Sequence, residues 1–134
     1  MKIIKSSIIK SKIKRSGIAL QDTQIFEDKN TVNDFTFNFL LNEYEEIIMK
    51  FENDINKWVL TNYRLLFPNR LSQILLGDII GVDIQSIRNQ ESTKTNNTSI
   101  DLLLNNQKSV SLNVEKGTWP LMFEIFKYIA NYSR

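Results

Sequence analysis

The stretch WVLTNYRLLF, residues 58 to 67, predicts a β-hairpin at the centre of the fold. Its two halves are short runs rich in aromatic and branched aliphatic residues, which favour strands. Asn62 stands between them, and asparagine tolerates the left-handed backbone conformation that a tight turn requires. Pro68 follows and has no N–H for a central ladder, so the second strand is expected to end there.

Outward from this hairpin, short apolar runs recur between asparagine-rich breaks, as in an antiparallel meander. Turn residues occur in NDIN at 53–56 and in Asn105-Asn106. Ile80, Val82, Ile84 and Ile87 are expected to face the core, after a short apolar turn at ILLG. The pattern indicates six or seven strands, and those predicted by name are Glu46 to Glu52, Lys57 to Thr61, Arg64 to Phe67, Ile80 to Arg88, Ile100 to Leu104 and Lys108 to Val114.

The last segment, residues 118–132, is the clearest helix of the chain. Thr118 is expected to cap it, and Pro120 lies in the first turn, where its missing N–H costs little. Apolar residues recur on one stripe at helical spacing, namely Trp119, Met122, Phe123, Phe126, Ile129 and Ala130. A stripe of this kind must be covered, so the helix is expected to pack on the sheet.

The first 44 residues carry weaker patterns. The isoleucines of residues 1–20 fall on no single face at either helical or strand period, which leaves an arm, a strand or a helix open. Phe35, Phe37 and Phe39 alternate as in a strand, although a short helix also fits them. We therefore divide the chain into a basic arm with an acidic lead-in segment, 1–44, and a folded domain, 45–134.

The net charge of +2 hides three zones of different sign. Residues 1–20 carry +6, residues 22–56 carry −7 and the remainder carries +3. The arm could attract its own acidic neighbour, an anionic membrane or another polyanion. Aromatic residues do not interleave with its cations, which disfavours nucleic acid. The candidate anionic-surface contacts are Lys2, Lys5, Lys10, Lys12, Lys14 and Arg15.

Composition excludes several kinds of site. With no Cys and no His, the chain has no disulfide, no Cys nucleophile, no Ser-His-Asp triad and no His-containing zinc site. Glu43, Glu45 and Glu46 lie close enough for an acid/base pair, but we expect a solvated edge. No catalytic residue, cofactor or metal is predicted, and the protein is expected not to be an enzyme.

The N-terminus offers no uninterrupted apolar stretch of signal-peptide length, because Lys5, Ser6 and Ser7 follow only two isoleucines. No segment approaches the roughly 20 apolar residues that cross a bilayer. A cytoplasmic protein, with peripheral membrane contact as an option, is the expectation.

Two stretches, WVLTNYRLLF and ILLGDIIGV at 74–82, resemble bacterial pleckstrin-homology-like (PH-like) and GRAM-type domains. Thr61, Asn62 and Arg64 match the turn of that family, and Asp78 and Val82 match the entry to its next strand. Trp119 is similar to the tryptophan of the closing helix, and Trp58 belongs to the first matched stretch. The likeness covers residues 45–132.

The resemblance implies a PH-like antiparallel barrel of six to seven strands, capped by the helix at 118–132. It also implies a non-catalytic binder of proteins or lipid headgroups. In members that bind inositol lipids, basic residues flank the first loop. Here that loop reads ENDINK, where Glu52 and Asp54 would repel a phosphate beside Lys50 and Lys57, so inositol-lipid binding is disfavoured.

Plain structural roles are expected for the matched residues. Trp58 and Trp119 are predicted core anchors, and Arg64 is predicted to pair with a carboxylate such as Asp78. The leading functional hypothesis is an interaction module that binds a protein through a sheet edge or the polar loop at Asn89 to Ser99. The alternatives are a peripheral membrane adaptor that uses the basic arm and a small-ligand-binding barrel.

Overall fold

The computed structural model describes residues 3–26, 40–68, 72–84 and 98–132. Within them the fold is mainly β, with a helix after the last strand, as predicted. Helix α1 and strand β1 lie in the part of the chain that the sequence left undecided. The elements are α1 (Ser6–Ser16), β1 (Thr23–Ile25), β2 (Ile47–Glu52), β3 (Lys57–Thr61), β4 (Arg64–Phe67), β5 (Ser72–Leu75), a 3-10 turn (Leu76–Asp78), β6 (Ile79–Asp83), β7 (Ser99–Leu104), β8 (Ser109–Asn113) and α2 (Trp119–Asn131).

The described strands form two antiparallel sheets, one of five strands in the order β1 to β5 and one of three in the order β6 to β8. The predicted central hairpin is confirmed, since Val59 pairs with Leu66 and Leu60 with Leu65. Strand β4 ends at Phe67, immediately before Pro68, as expected. No pairing joins the two sheets among these strands, so the closed barrel stays a prediction.

The region from 72 to 84 differs most from the prediction. The expected apolar turn is strand β5 followed by the 3-10 turn, and β6 begins at Ile79. A shift in register between Ile79 and Gly81 moves the inward face by one residue. Ile79 is therefore buried and Ile80 is 45% exposed, which corrects the prediction for Ile80, whereas Ile84 is buried as expected. Ile87 and the predicted strand beyond Ile84 lie outside the described residues.

One hydrophobic core joins both sheets and both helices. Trp58 lies at its centre, with its ring centroid 5.9 Å from that of Phe51 and 6.5 Å from that of Phe126. Trp58 is thus the predicted anchor, and Val82 and Trp119 are partly buried against the same core. Helix α2 buries Leu121, Met122, Ile125, Phe126, Ile129 and Ala130.

Helix α2 begins at Trp119 with Pro120 in its first turn, as predicted, but Thr118 does not cap it through its side chain. The Thr118 hydroxyl instead donates a hydrogen bond of 2.6 Å to the Glu115 carbonyl. Thr118 is thus the N-cap residue, as predicted, but its side chain makes no capping bond because the hydroxyl closes the preceding turn.

Helix α1 packs against α2 and β2. Ile9 and Ile13, four residues apart, are buried on its inner face, and Ile4 before the helix joins them. The helical period was hidden in the sequence because Ile8 stands between Ile4 and Ile9, and Ile3 and Ile18 flank the set. Lys2, the Phe35–Phe39 segment and most of the polar loop at 89–99 lie outside the described residues.

Candidate functional site at the edge of strand β8

The β2–β3 hairpin has two ends of different character. We call the end around the β3–β4 turn, residues 61–64, the closed end, and the end around the β2–β3 turn, residues 53–56, the open end. Polar side chains occur at both ends. Their partners differ, and the difference locates the candidate site.

At the closed end, Arg64 binds the carboxylate of Glu45 with two nitrogens. Its Nε lies 2.9 Å from Glu45 Oε2 and its Nη2 lies 3.1 Å from Glu45 Oε1. The Glu45 side chain has no exposed surface. The expected solvated edge is thus wrong for Glu45, and the carboxylate partner of Arg64 is Glu45 rather than Asp78.

Thr61 and Asn62 complete this network. The Thr61 hydroxyl lies 2.7 Å from Glu45 Oε2 and accepts the backbone N–H of Arg64 at 2.9 Å. Asn62 Oδ1 accepts the N–H of Glu46, and its Nδ2 donates to the Tyr44 carbonyl at 3.1 Å. The three matched turn residues therefore fasten the segment before β2 to the hairpin, which is a structural task.

Asp78 lies apart from this network. Its backbone carbonyl accepts the N–H of Asn105 at 3.0 Å, and its carboxylate accepts Asn105 Nδ2 at 3.1 Å. These bonds join the 3-10 turn to the turn between β7 and β8. The structure brings Thr61, Asn62 and Arg64 together but places Asp78 in a second contact of its own.

The basic residues of the predicted arm do not share one face. Lys10 and Lys12 are half-buried, whereas Lys5, Lys14 and Arg15 are exposed. Lys12 Nζ lies 3.1 Å from Glu124 Oε1 and 5.6 Å from the ring centre of Tyr128 on α2. Lys12, one of the candidate anionic-surface contacts, therefore pairs with residues of helix α2.

Tyr128 has an unusual environment beside Lys12. Its hydroxyl is buried and has no hydrogen-bond partner among the residues that the structure describes. Burial raises the pKa of the Tyr128 phenol above its ordinary value of 10.0, and nearby Tyr132 raises it further. The neutral phenol is thus the form that this packing favours.

Lys50 and Lys57, which flank the turn at residues 53–56, also have an acidic neighbour. Lys50 Nζ lies 3.7 Å and Lys57 Nζ 3.8 Å from the two oxygens of Glu52. A phosphate at this position would compete with that carboxylate for both cations. Weak binding of inositol lipid stays a prediction.

At the open end, a tight turn presents an apolar side chain to solvent. Asn53 Oδ1 accepts the N–H groups of Ile55 and Asn56 at 2.9 and 2.7 Å, which holds the turn in shape. Ile55 is 82% exposed. A fixed turn therefore displays a large apolar residue beside strand β8.

Strand β8 lies at the edge of the three-stranded sheet formed by the described strands, where β7 is its neighbour. The N–H of Leu104 bonds to the Lys108 carbonyl, and the N–H of Val114 bonds to the Thr98 carbonyl. By this alternation, the main-chain N–H and C=O groups of the even-numbered residues of β8 point toward β7. The N–H and C=O groups of the odd-numbered residues point away from it. Among the described residues, those of Ser109 and Ser111 have no hydrogen-bond partner.

A cleft of about 230 Å³ runs beside this edge. Trp58, Phe67 and Leu112 form its apolar floor, and Ile55 and Lys57 stand at its rim. Trp58 Nε1 donates to the Asn113 carbonyl at 2.6 Å, which ends the open part of the edge. The cleft is smaller than the roughly 300–1,000 Å³ of ordinary small-molecule sites and suits one large side chain.

A second recess, of about 360 Å³, adjoins the cleft and shares Ile55 and Asn113 with it. One of its walls is Glu115, whose carboxylate accepts the N–H groups of Gln21 and Asp22 at 2.8 and 2.7 Å. These bonds fasten the segment before β1 to the end of β8. Hydrogen bonds thus hold both the turn at the open end and the segment before β1 beside strand β8.

Two other features, a metal site and a membrane-spanning helix, find no support within the described ranges. They contain no group of three or more Asp and Glu side chains arranged to hold a metal ion. Their helices are also too short or too polar to cross a membrane.

Sequence reasoning predicted a sheet edge in general terms but missed this particular one. The alternation in KSVSLNV was visible, and so was the NDIN turn. The overlooked signal is Ile55, an apolar residue inside a turn whose neighbours are all polar. Glu45 and Glu115 carried no signal, because their partners lie far away along the chain.

Comparison of the chain with protein-family models, curated proteins and solved structures found no match to any of them.

Proposed function

We propose that this chain is a non-catalytic interaction module of PH-like fold that binds a protein partner through the β8 edge. Two features support the fold. Strands β2 to β5 and then β6 to β8 precede a closing helix, which is the order expected of that family. The residues matching the family turn also act together at one place.

One observation carries the functional proposal. Polar groups at the closed end are partnered within the chain, whereas main-chain groups of Ser109 and Ser111 are not partnered among the described residues. A sheet edge with such groups is a template for a further strand. The apolar floor of the adjoining cleft adds a place for a partner's side chain.

The test is affinity capture with the full chain, followed by measurement of direct binding between the two purified proteins. We expect one specific protein partner, bound at a single site, and no turnover by the module. If no captured protein binds directly after purification, the proposal is wrong.

The outer face of α1 supports a second candidate, a peripheral membrane adaptor. Lys14 and Arg15 are exposed in its last turn and Lys5 is exposed just before its first residue, while Ile9 and Ile13 face the core. Deleting the segment would remove core residues, so charge reversal is the better test. Vesicles containing anionic lipid should float the native chain but not Lys14→Glu/Arg15→Glu, and equal flotation of both would contradict this candidate.

A further inference from the structure

From the β8 edge we infer that the partner is an extended peptide segment, which adds as a strand beside Ser109 and Ser111 and places one large apolar side chain in the cleft. This inference rests on the proposed function and specifies its ligand. It depends on three observations: the direction of main-chain groups, the size of the cleft and the position of Ile55.

The main-chain groups decide what class of ligand fits. Ser109 and Ser111 are two residues apart, so their outward N–H and C=O groups repeat at the spacing of a strand. Only another extended backbone offers acceptors and donors at the same repeat. Both serine side chains are exposed and small, which leaves the approach to these groups open.

The open edge has a defined length. It stops at Asn113, whose carbonyl already accepts Trp58 Nε1 at 2.6 Å. The added strand therefore pairs with Ser109 and Ser111 and passes the cleft where the edge ends. One of its side chains then lies beside Leu112 and under Ile55.

The cleft selects an apolar side chain. Its floor of Trp58, Phe67 and Leu112 offers no charge, and about 230 Å³ accommodates a single Leu-, Phe- or Trp-sized group. Ile55 is held by the Asn53 turn and is 82% exposed, so a bound side chain would cover it without any rearrangement. This is the gain in apolar burial that makes the added strand bind.

A peptide library tests the inference with the full chain as bait. Displayed random peptides of about ten residues cover the length of an ordinary strand. We expect the selected peptides to share one large apolar residue. In NMR titrations they should shift the amide signals of Ser109 and Ser111 and slow hydrogen exchange at both.

The variant Ser111→Pro removes an outward N–H without touching the bonds to β7, so the fold should survive as judged by circular dichroism. It should weaken the selected peptides by at least about tenfold, the value of one such bond. Ser111→Thr keeps the N–H and is the matched control, with affinity expected to be close to native. Ile55→Asp should weaken binding at least about fivefold, while Ile80→Asp, at an exposed isoleucine of β6, should not.

Three outcomes would overturn the inference. Peptides that bind but leave Ser109 and Ser111 unperturbed would place the ligand elsewhere and leave the proposed interaction module intact. A dimer of this chain that Ser111→Pro dissolves would make a second copy the occupant. A captured protein partner that binds Ser111→Pro as tightly as native would refute strand addition alone. If the native chain captures no partner that binds it directly, the proposed function is refuted as well.

Discussion

The two ends of the β2–β3 hairpin both carry polar residues, but these residues have different hydrogen-bond partners. At the closed end, Thr61, Asn62 and Arg64 bond to the chain's own Glu45–Glu46 segment. Beside the open end, Ser109 and Ser111 of strand β8 direct main-chain groups away from β7. The contrast shows that a polar motif that resembles a family turn has a structural role here, while our proposal places binding at an inconspicuous serine-containing strand.

The largest effect is expected from breaking the closed end at Glu45. Glu45→Ala should lower the free energy of unfolding by about 3–5 kcal/mol, because it leaves the Arg64 charge in a mostly buried position. Urea denaturation measures this directly. Glu43→Ala, at an exposed neighbour, is the control, and equal costs for the two variants would show that the ion pair contributes nothing.

Substitution of one buried and one exposed isoleucine compares the stability that each side chain contributes. Ile9 in α1 is 0% exposed and Ile55 at the open end is 82% exposed. Ile9→Ala should cost about 2–5 kcal/mol of unfolding free energy, and Ile55→Ala less than about 0.5 kcal/mol. Thermal denaturation of both variants tests whether residues 6–16 belong to the core, which a small cost for Ile9→Ala would contradict.

Thr61→Val separates the hydroxyl from the shape of the side chain. The variant keeps the β-branched form but removes the group that bonds Glu45 and the N–H of Arg64. We expect a loss of about 1–3 kcal/mol in unfolding free energy, the cost of leaving buried groups without a partner. Thr98→Val, at an exposed position before β7, should stay near zero, and a similar value for both would mean that the hydroxyl is dispensable.

The smallest effect concerns Tyr128 and is a gain. Its buried hydroxyl has no hydrogen-bond partner within the described part of the chain, so Tyr128→Phe should raise the free energy of unfolding by up to about 1 kcal/mol near neutral pH. Tyr63→Phe at the closed end is the control. A marked loss in Tyr128→Phe would mean that the hydroxyl has a stabilising role.

The same tyrosine also predicts a pH dependence. Since its folded-state pKa is raised above 10.0, the folded protein holds the phenol proton more tightly than the unfolded chain. Its contribution to stability is complete below pH 10.0 and is lost as the pH rises through the folded-state pKa. Denaturation of the native chain above pH 10.0 should show this decline, and in Tyr128→Phe the decline should be shallower.

Local sequence patterns were sufficient to predict those helices and strands whose apolar and turn residues lie in one continuous stretch of the chain. The central hairpin, the strand ending before Pro68 and helix α2 follow from β-branched runs, a turn asparagine and a helical apolar stripe. The sequence also indicated that Trp58 is a core anchor, because a large aromatic residue in an apolar strand usually packs.

Tertiary structure decided everything that depends on residues far apart in the chain. Four features were of this kind: the bulge that exposes Ile80, the docking of α1, the pairing of Arg64 with Glu45, and the β8 edge, where Ser109 and Ser111 have no main-chain partner among the described residues. Local sequence specifies which face of a segment is apolar and where a turn falls. Which carboxylate meets which guanidinium, and which of the described strand edges has no described neighbour, are set only when the two sheets and two helices pack together.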